Sequence, residues 1–506
     1  MSMPSGRDSA DFAVQPLSAI SRQWGVASEQ VALLADRDDF PTPYAFTLQI
    51  PGPDEPHRRE GLGLLWARVV TIMTAIVGTS RLRVVCEHDS TYAHITCTFA
   101  ANPKVVSNLE QYGALEVMRA PKEAVPPDAE LRMLPFRSRA AVEAANCEVE
   151  LAERVFVGID YGRSDVKAAA LDSQGRVFNT YVTRWWQPAA KGGREYVDPA
   201  HFESHERHFE CLVEAALAVL EVPELANKVI CGLGVSAAGC VRAGRLVGIP
   251  PAFGGIEREA AQLDLMRLEH VLLERLGERR STAPGCTALL VNDGDASAMY
   301  GAGRAELGDG AGLFLSCGTG LAGGIVCRGD CCEGVLEVGK VVLGLCTSEE
   351  TGCDSAKMVP CHDGLGVECA AQGMAGTQRA FFNLLAATGG EEIKGKAEQR
   401  AALVAMQQRP LDAEVCAIFG TLARWLAIFV VELSVYLPFT LVYVEAGGKV
   451  TDGESGALLL AEAAAALKEH GVERVARAVD GEFGQAIAVA EAVRSDPNTG
   501  TSSTGA

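Results

Sequence analysis

Three stretches of this sequence bring acids, glycines and hydroxyls to the ends of apolar runs. In VFVGIDYGRSDVKAAALD, residues 155–172, an apolar run ends at Asp160, turns through Gly162 and returns carrying Lys167. A strand–turn–strand hairpin of this kind lets backbone N–H groups approach a phosphate, and an acid at the strand end can hold Mg2+ through water. The pattern recurs in GLFLSCGTGLAGGIV, residues 312–326, where Gly318, Thr319 and Gly320 offer open N–H groups and one hydroxyl. Two such hairpins suggest two related lobes closing on one nucleotide; two unrelated glycine hairpins are the alternative. Between them, ALLVNDGDASAMYGAG (288–303) delivers Asn292, Asp293 and Asp295 to a small-residue helix expected from about Ala296. An acid there is placed to take a proton from a hydroxyl. The plainer alternative is helix capping, for which Asp295 is better suited than Asp293.

These residues need rigid elements behind them, and the chain has the means to build them. It holds 506 residues, 48% hydrophobic and 22% charged, which describes a folded protein of several domains. Its formal net charge of −20 argues against a surface that embraces a polyanion. The sixteen cysteines are scattered and lack a disulfide framework, so reduced thiols and a cytoplasmic location are expected. The start shows no apolar signal segment. The most membrane-like stretch, 415–444, is interrupted by Arg424, Glu432 and Pro438 and reads as a buried helix followed by a strand, so no membrane partner is expected.

From Val155 to about Val493 short β-rich runs, glycine turns and Ala/Leu-rich helices indicate α/β architecture, and the polar end reads as a disordered tail. Five regions are expected: 1–80, 81–150, lobes over 151–290 and 291–493, and the tail 494–506. In the first, helices over Leu17–Trp24 and Ser28–Ala35 flank a turn at Gly25-Val26. This segment resembles the excisionase and MerR-like helix-turn-helix family. Its second helix is a poor DNA reader, since residues 16–80 carry five Lys/Arg against seven Asp/Glu. A small packing module is the alternative. In 81–150, of unknown role, RLRVVCEH and YAHITCTFA read as paired strands.

The three site stretches, with GLGVSAAGCVRAGRLVGIPPAFGG (232–255) and VEAGGKVTDGESGALL (444–459), resemble the ROK family of sugar kinases and sugar-responsive repressors over about 153–493. That resemblance implies an α/β, two-lobed actin-like (ribonuclease H-like) ATPase fold, here with a separate N-terminal α+β region. It implies ATP and Mg2+ as cofactors; a net charge of −20 gives little sign of the basic track that a long polyanion needs, which ranks ATP above polyphosphate as donor. Asp160 becomes the Mg2+ ligand through water; Gly162, Lys167, Gly318, Thr319, Gly320, Gly447 and Gly448 hold the nucleotide. Asp293 becomes the general base, and Asn292, Glu337, Lys340 and Glu368 meet a sugar-like substrate. A homodimer is expected.

The sequence departs from the family at three points. Ala252 stands where an Asn is usual. Lys340 replaces a histidine that in relatives binds zinc, and a protonated lysine has no lone pair for a metal. Cysteines 346, 353, 361 and 369 are spaced too widely for a zinc knuckle, so no zinc is expected. If 337–342 were a strand, Glu337 and Lys340 would point to opposite faces; in a turn both can face one side. A surface lysine paired with Glu333 or Asp330 is the further alternative. The competing function is a transcriptional regulator with a DNA-binding head on a sugar-sensing body.

Overall fold

The computed structural model describes residues 14–17, 29–126 apart from 41, 136–137, 149–247 and 267–346 with short gaps, 371–387, 393, 396–478 with short gaps, and 482–494. The chain divides into two compact units. The first comprises Met1–Pro135, Leu307–Gly323 and Cys332–Ala478; the second comprises Phe136–Glu306, Gly324–Cys331 and Val479–Ala506.

The N-terminal part of the first unit begins with a short strand, β1 (Val14–Pro16), and then builds a four-stranded sheet. Its elements are β2 (Glu29–Asp36), β3 (Tyr44–Ile50), α1 (Arg58–Thr71), β4 (Arg81–Val85), α2 (Asp89–Ala101) and β5 (Glu116–Arg119). The order is β3-β2-β4-β5, with β2 antiparallel to β3 and β4, and β5 parallel to β4.

Two expectations are corrected here. Residues 28–35 do not form the second helix of a helix-turn-helix; 29–36 are strand β2. Val31, Leu33 and Ala35 share a face, Leu33 lying opposite Phe46 and Val84, while Ala32 and Leu34 join Ala45 and Val85 on the other. A strand buried on both faces loses its two-residue period and mimics a helix in sequence. The first expected helix, over 17–24, lies outside the described residues except for Leu17. Residues 92–100 are not a strand but part of α2, whose buried Thr91, Ile95, Thr98 and Phe99 follow a helical stripe.

The second unit is built on β6 (Arg154–Tyr161), β7 (Val166–Asp172), β8 (Val177–Thr183), α3 (His205–Val219), β9 (Val229–Ala237), α4 (Leu268–Gly277), β10 (Thr282–Asn292) and α5 (Asp293–Ala302). Its sheet runs β10-β9-β6-β7-β8. Strands β6, β7 and β8 form an antiparallel meander, and β9 and β10 extend it in parallel with β6. Phe209 and Leu212 of α3 and Leu272 of α4 share a core with Val157, Ile159, Leu233, Val235 and Leu290 of the sheet.

The first unit repeats the plan with β11 (Ala311–Cys317), β12 (Leu321–Cys327), β13 (Gly344–Cys346), α6 (Gln378–Ala387), α7 (Ala413–Tyr436), β14 (Leu441–Gly447), α8 (Gly453–Leu467) and β15 (Arg474–Arg477). The order is β15-β14-β11-β12, the last strand leaving this unit after Gly323. Strands β14 and β15 extend β11 in parallel. The short link from β11 to β12 leaves no room for a parallel crossover, so these two strands form an antiparallel hairpin. Strand β13 pairs antiparallel with β1. Helix α7 is 24 residues long and, by length and composition alone, could cross a membrane; 67% of its most apolar window is buried within the protein. As the sequence indicated, a strand, β14, follows it.

The last helix, α9 (Gly484–Arg494), packs on the sheet of the second unit. A Cβ on Gly158 would sit 1.8 Å from the Ala486 carbonyl oxygen, and one on Gly234 2.3 Å from that of Val489. Gly232 abuts Val493, so α9 runs antiparallel to β9 and its N-terminal end points toward the strands' carboxyl ends.

Candidate active site

In the second unit, Asp160 at the end of β6 is in register with Ser236 of β9, and Ser236 with Val291 of β10. Asp160, Ser236 and the Asn292–Asp293 pair therefore stand at the carboxyl ends of three adjacent parallel strands. Open α/β sheets take their ligands at that edge. Neighbouring strands are about 4.8 Å apart, which puts β6 and β10 about 10 Å from each other. The N-terminal ends of α5 and α9 are at the same edge, and their partial positive charge favours anions there.

Asp160 is 6% exposed. Lys167, opposite it across the hairpin, places Nζ 3.3 Å from Asp160 Oδ2 and 3.2 Å from Asp165 Oδ1. Burial pushes the Asp160 carboxyl above the usual range, and the Lys167 ammonium only partly offsets this. Burial would lower Lys167, but the two carboxylates outweigh it and raise its pKa, so it stays charged. Gly162 leaves no room for a side chain, since a Cβ would lie 2.9 Å from the Asp165 carbonyl oxygen. The turn is braced from behind: Trp185 Nε1 donates to Gly162 O at 2.9 Å, and the buried Tyr161 hydroxyl is hydrogen-bonded to His208 Nδ1 at 2.9 Å. Burial drives His208 down to about 3, so its ring is neutral.

Ser236 was not singled out in the sequence. It is fully buried, and its Oγ has no hydrogen-bond partner among the described residues. The available signal was a hydroxyl inside the apolar run GLGVSAAG.

Asn292 caps α5: its Oδ1 accepts from Gly294 N at 2.8 Å, and its Nδ2 donates to Gly239 O at 2.8 Å. This corrects the sequence reading, which began the helix near Ala296 and made Asp295 the better cap. Asp293 opens α5, half-buried, with Oδ1 accepting from Gly294 N at 2.9 Å. The Asn292 side chain thus caps the helix, and Asp293 is its first residue.

The first unit carries the other glycine turn. Gly318 O accepts from Gln378 N at 3.0 Å, where α6 begins, and Thr377 Oγ1 caps that helix by accepting from Ala380 N at 3.0 Å. Gly447, buried at the end of β14, is in register with Ser316 of β11. Again glycines stand at the carboxyl ends of adjacent parallel strands. Gly318 and Gly320 are in the turn; Thr319, Gly448, Glu368, Ala252, His362 and Cys353, Cys361 and Cys369 lie outside the described residues.

Glu337 and Lys340 are in a turn, not a strand. Val338 N donates to Leu336 O at 2.7 Å around Glu337 (φ −69°, ψ 62°), an inverse γ-turn that leads into one turn of 3-10 helix over Val338–Lys340. Lys340 Nζ lies 3.8 Å from Glu337 Oε2, so the two side chains share one side. Buried Leu336 enters this turn at φ 41°, a left-handed conformation costly for leucine and a mark of an over-determined segment.

A hard divalent cation bound alongside phosphates needs one or two carboxylates, not a protein cage. Asp160 is one carboxylate at this edge, ion-paired with Lys167, and the described residues hold no group of three or more His, Cys, Asp or Glu around a common point.

Strand order, the repeat of one plan in two units and glycine turns at equivalent strand ends together define the actin-like (ribonuclease H-like) ATPase fold. The solved structures that the chain resembles include ROK family kinases and a ROK family regulator. They include a ROK hexokinase from Thermus thermophilus, 21% identical over 67% of this chain and 97% of that one, TM-score 0.46. A ROK family glucokinase from Streptomyces griseus in complex with glucose and AMPPNP is 18% identical over 67% and 98%, TM-score 0.44. A ROK family transcriptional regulator, a homologue of the E. coli MLC protein, is 14% identical over 68% and 78%, TM-score 0.47. At these scores the likeness adds nothing to what the two sheets establish. No protein-family model and no curated protein matches the sequence.

Proposed function

We propose that the protein is an ATP- and Mg2+-dependent kinase that phosphorylates a hydroxyl of a sugar or sugar-like polyol. The observation that carries this reading is the edge formed by Asp160, Ser236 and Asn292–Asp293 at the ends of three parallel strands, with two helix N-termini directed to it. Asp293 accepts the proton of the attacking hydroxyl. Asn292, already fixed by two hydrogen bonds, has a remaining N–H and a remaining lone pair to position that hydroxyl. Asp160 would hold Mg2+, which supplies charge neutralisation to the phosphates when bound. Lys167 keeps the Asp160 carboxylate in place and supplies a fixed positive charge. The turns at Gly162 and at Gly318 and Gly320 offer backbone N–H groups to phosphate oxygens, and Gly447 leaves space for the nucleoside. Glu337 accepts hydrogen bonds from the acceptor, and Lys340 beside it favours an acceptor rich in lone pairs.

ADP release measured against a panel of hexoses, amino sugars and cyclitols tests the reading. Turnover with at least one acceptor, dependent on Mg2+, is expected. Absence of turnover with every acceptor, in folded protein that binds ATP, overturns it.

A further inference from the structure

The segment that carries Glu337 and Lys340 is held by the N-terminal part of its own unit. Helix α1 widens at its end into a π-turn over Ile72–Ile76, where Val77 N reaches Ile72 O at 2.9 Å, and this turn packs on the Val338–Lys340 turn. Such widened turns recur at functional positions in helices. Thr71, fully buried at the junction, accepts a hydrogen bond from Val342 N at 3.1 Å and is hydrogen-bonded to the Tyr436 side chain. Immediately beyond, Leu17 N donates to Leu343 O at 3.0 Å, and β1 pairs with β13, Pro16 opposite Gly344 and Val14 opposite Cys346. Successive backbone groups of 342–346 are thus fixed by residues 14–17 and 71, while Leu336 on the other flank holds a left-handed conformation. A strained turn keeps its shape only if its flanks are held.

We infer that Thr71 is a positioning residue for the acceptor-binding turn, and that residues 14–17 and 71–76 form a brace that sets the direction of Glu337. This rests on the reading that Glu337 meets the acceptor. The hydroxyl of Thr71 acts through the Val342 N–H, whose register fixes the turn that precedes it; no step of the chemistry passes through Thr71 itself.

The test compares steady-state kinetics of wild type, Thr71→Val, Thr71→Ser and Glu337→Gln, with D-glucose, D-glucosamine and myo-inositol as acceptor probes. Thr71→Val is nearly isosteric but leaves Val342 N–H buried without an acceptor. It removes both the Val342 bond and the bond to Tyr436, and through the Val342 bond is expected to raise the acceptor KM about tenfold, while kcat and the KM for ATP stay within about twofold. Thr71→Ser, which keeps the oxygen, restores the wild-type KM. Where the valine variant does not fold, Thr71→Ala, which also removes the acceptor of Val342 N–H, takes its place with the same KM split expected. If Glu337→Gln raises the acceptor KM and the Thr71 variants do not, the brace is overturned and the kinase reading stands. If neither changes it, Glu337 does not meet the acceptor, and the inference falls with that assignment.

Discussion

Glu29 is fully buried, and its carboxylate accepts from His88 N at 3.0 Å, Arg58 Nη1 at 2.9 Å and Thr91 Oγ1 at 2.7 Å. Burial alone would raise its pKa; the three donors outweigh burial and hold it below the ordinary value of 4.5. A carboxyl whose folded pKa is depressed stabilises the fold at pH above its unfolded value, and that stability is lost as pH falls through the lower folded value. Glu29→Gln should therefore cost about 1–3 kcal/mol near neutral pH, with the difference from wild type shrinking in acid. Urea midpoints across that range measure it, and equal midpoints at neutral pH would show that the network contributes nothing. At this scale the sequence was readable where chemistry coincides with a turn. Asp160, Gly162 and Lys167 stand as their hairpin spacing implied, and Gly318 and Gly320 are in their turn. Glu29 and Ser236 were not readable, because partners separated along the chain decide whether a lone polar residue is a surface group or a buried one.

At the level of elements, both glycine hairpins could be read directly, since alternating apolar strands around a glycine have few other solutions. The N-terminal region could not. Its strand β2 is apolar on both faces, and α2 is rich in β-branched Thr and Ile, so propensity and pattern each pointed the wrong way. The helix start at Asp293 was missed because Asn292, Asp293 and Asp295 are all competent caps, and only the backbone shows which one is used. The packing of α9 gives a sharp test. Gly158→Ala forces a methyl group into the Ala486 carbonyl, and backbone on both sides leaves no flexible group to move aside. A loss of about 2 kcal/mol or more is expected, of the order seen for overpacked cores, readable as a lower melting temperature. A neutral substitution would mean that α9 does not lie on this sheet as described.

Across the whole chain, the repeated plan is what the sequence conveyed best and the role of the first 120 residues least. Arg68 shows why. It is buried, with Nη1 2.7 Å from Glu432 Oε2 and 2.8 Å from the Tyr436 hydroxyl, both on α7. An arginine and a glutamate 364 positions apart give no local signal of pairing. Tyr44 adds a hydroxyl bond to Tyr436 O at 2.7 Å. The N-terminal sheet is therefore welded to a core helix of the same unit. Arg68→Met leaves Glu432 buried without its partner and should destabilise by about 3–5 kcal/mol in thermal melts; an unchanged melt would mean the pair is not buried.

We propose that Asp293 takes the proton of an acceptor hydroxyl during phosphoryl transfer, and one variant tests this most directly. Asp293→Asn keeps the size of the side chain and can still accept from Gly294 N, but it cannot take up that proton. The measurement is kcat for the acceptor with the highest turnover, in wild type and Asp293→Asn protein shown to melt alike and to bind ATP alike. A loss of about 10²–10⁴-fold in kcat is predicted, the range of a missing general base. Wild-type turnover in the Asp293→Asn protein would contradict the assignment.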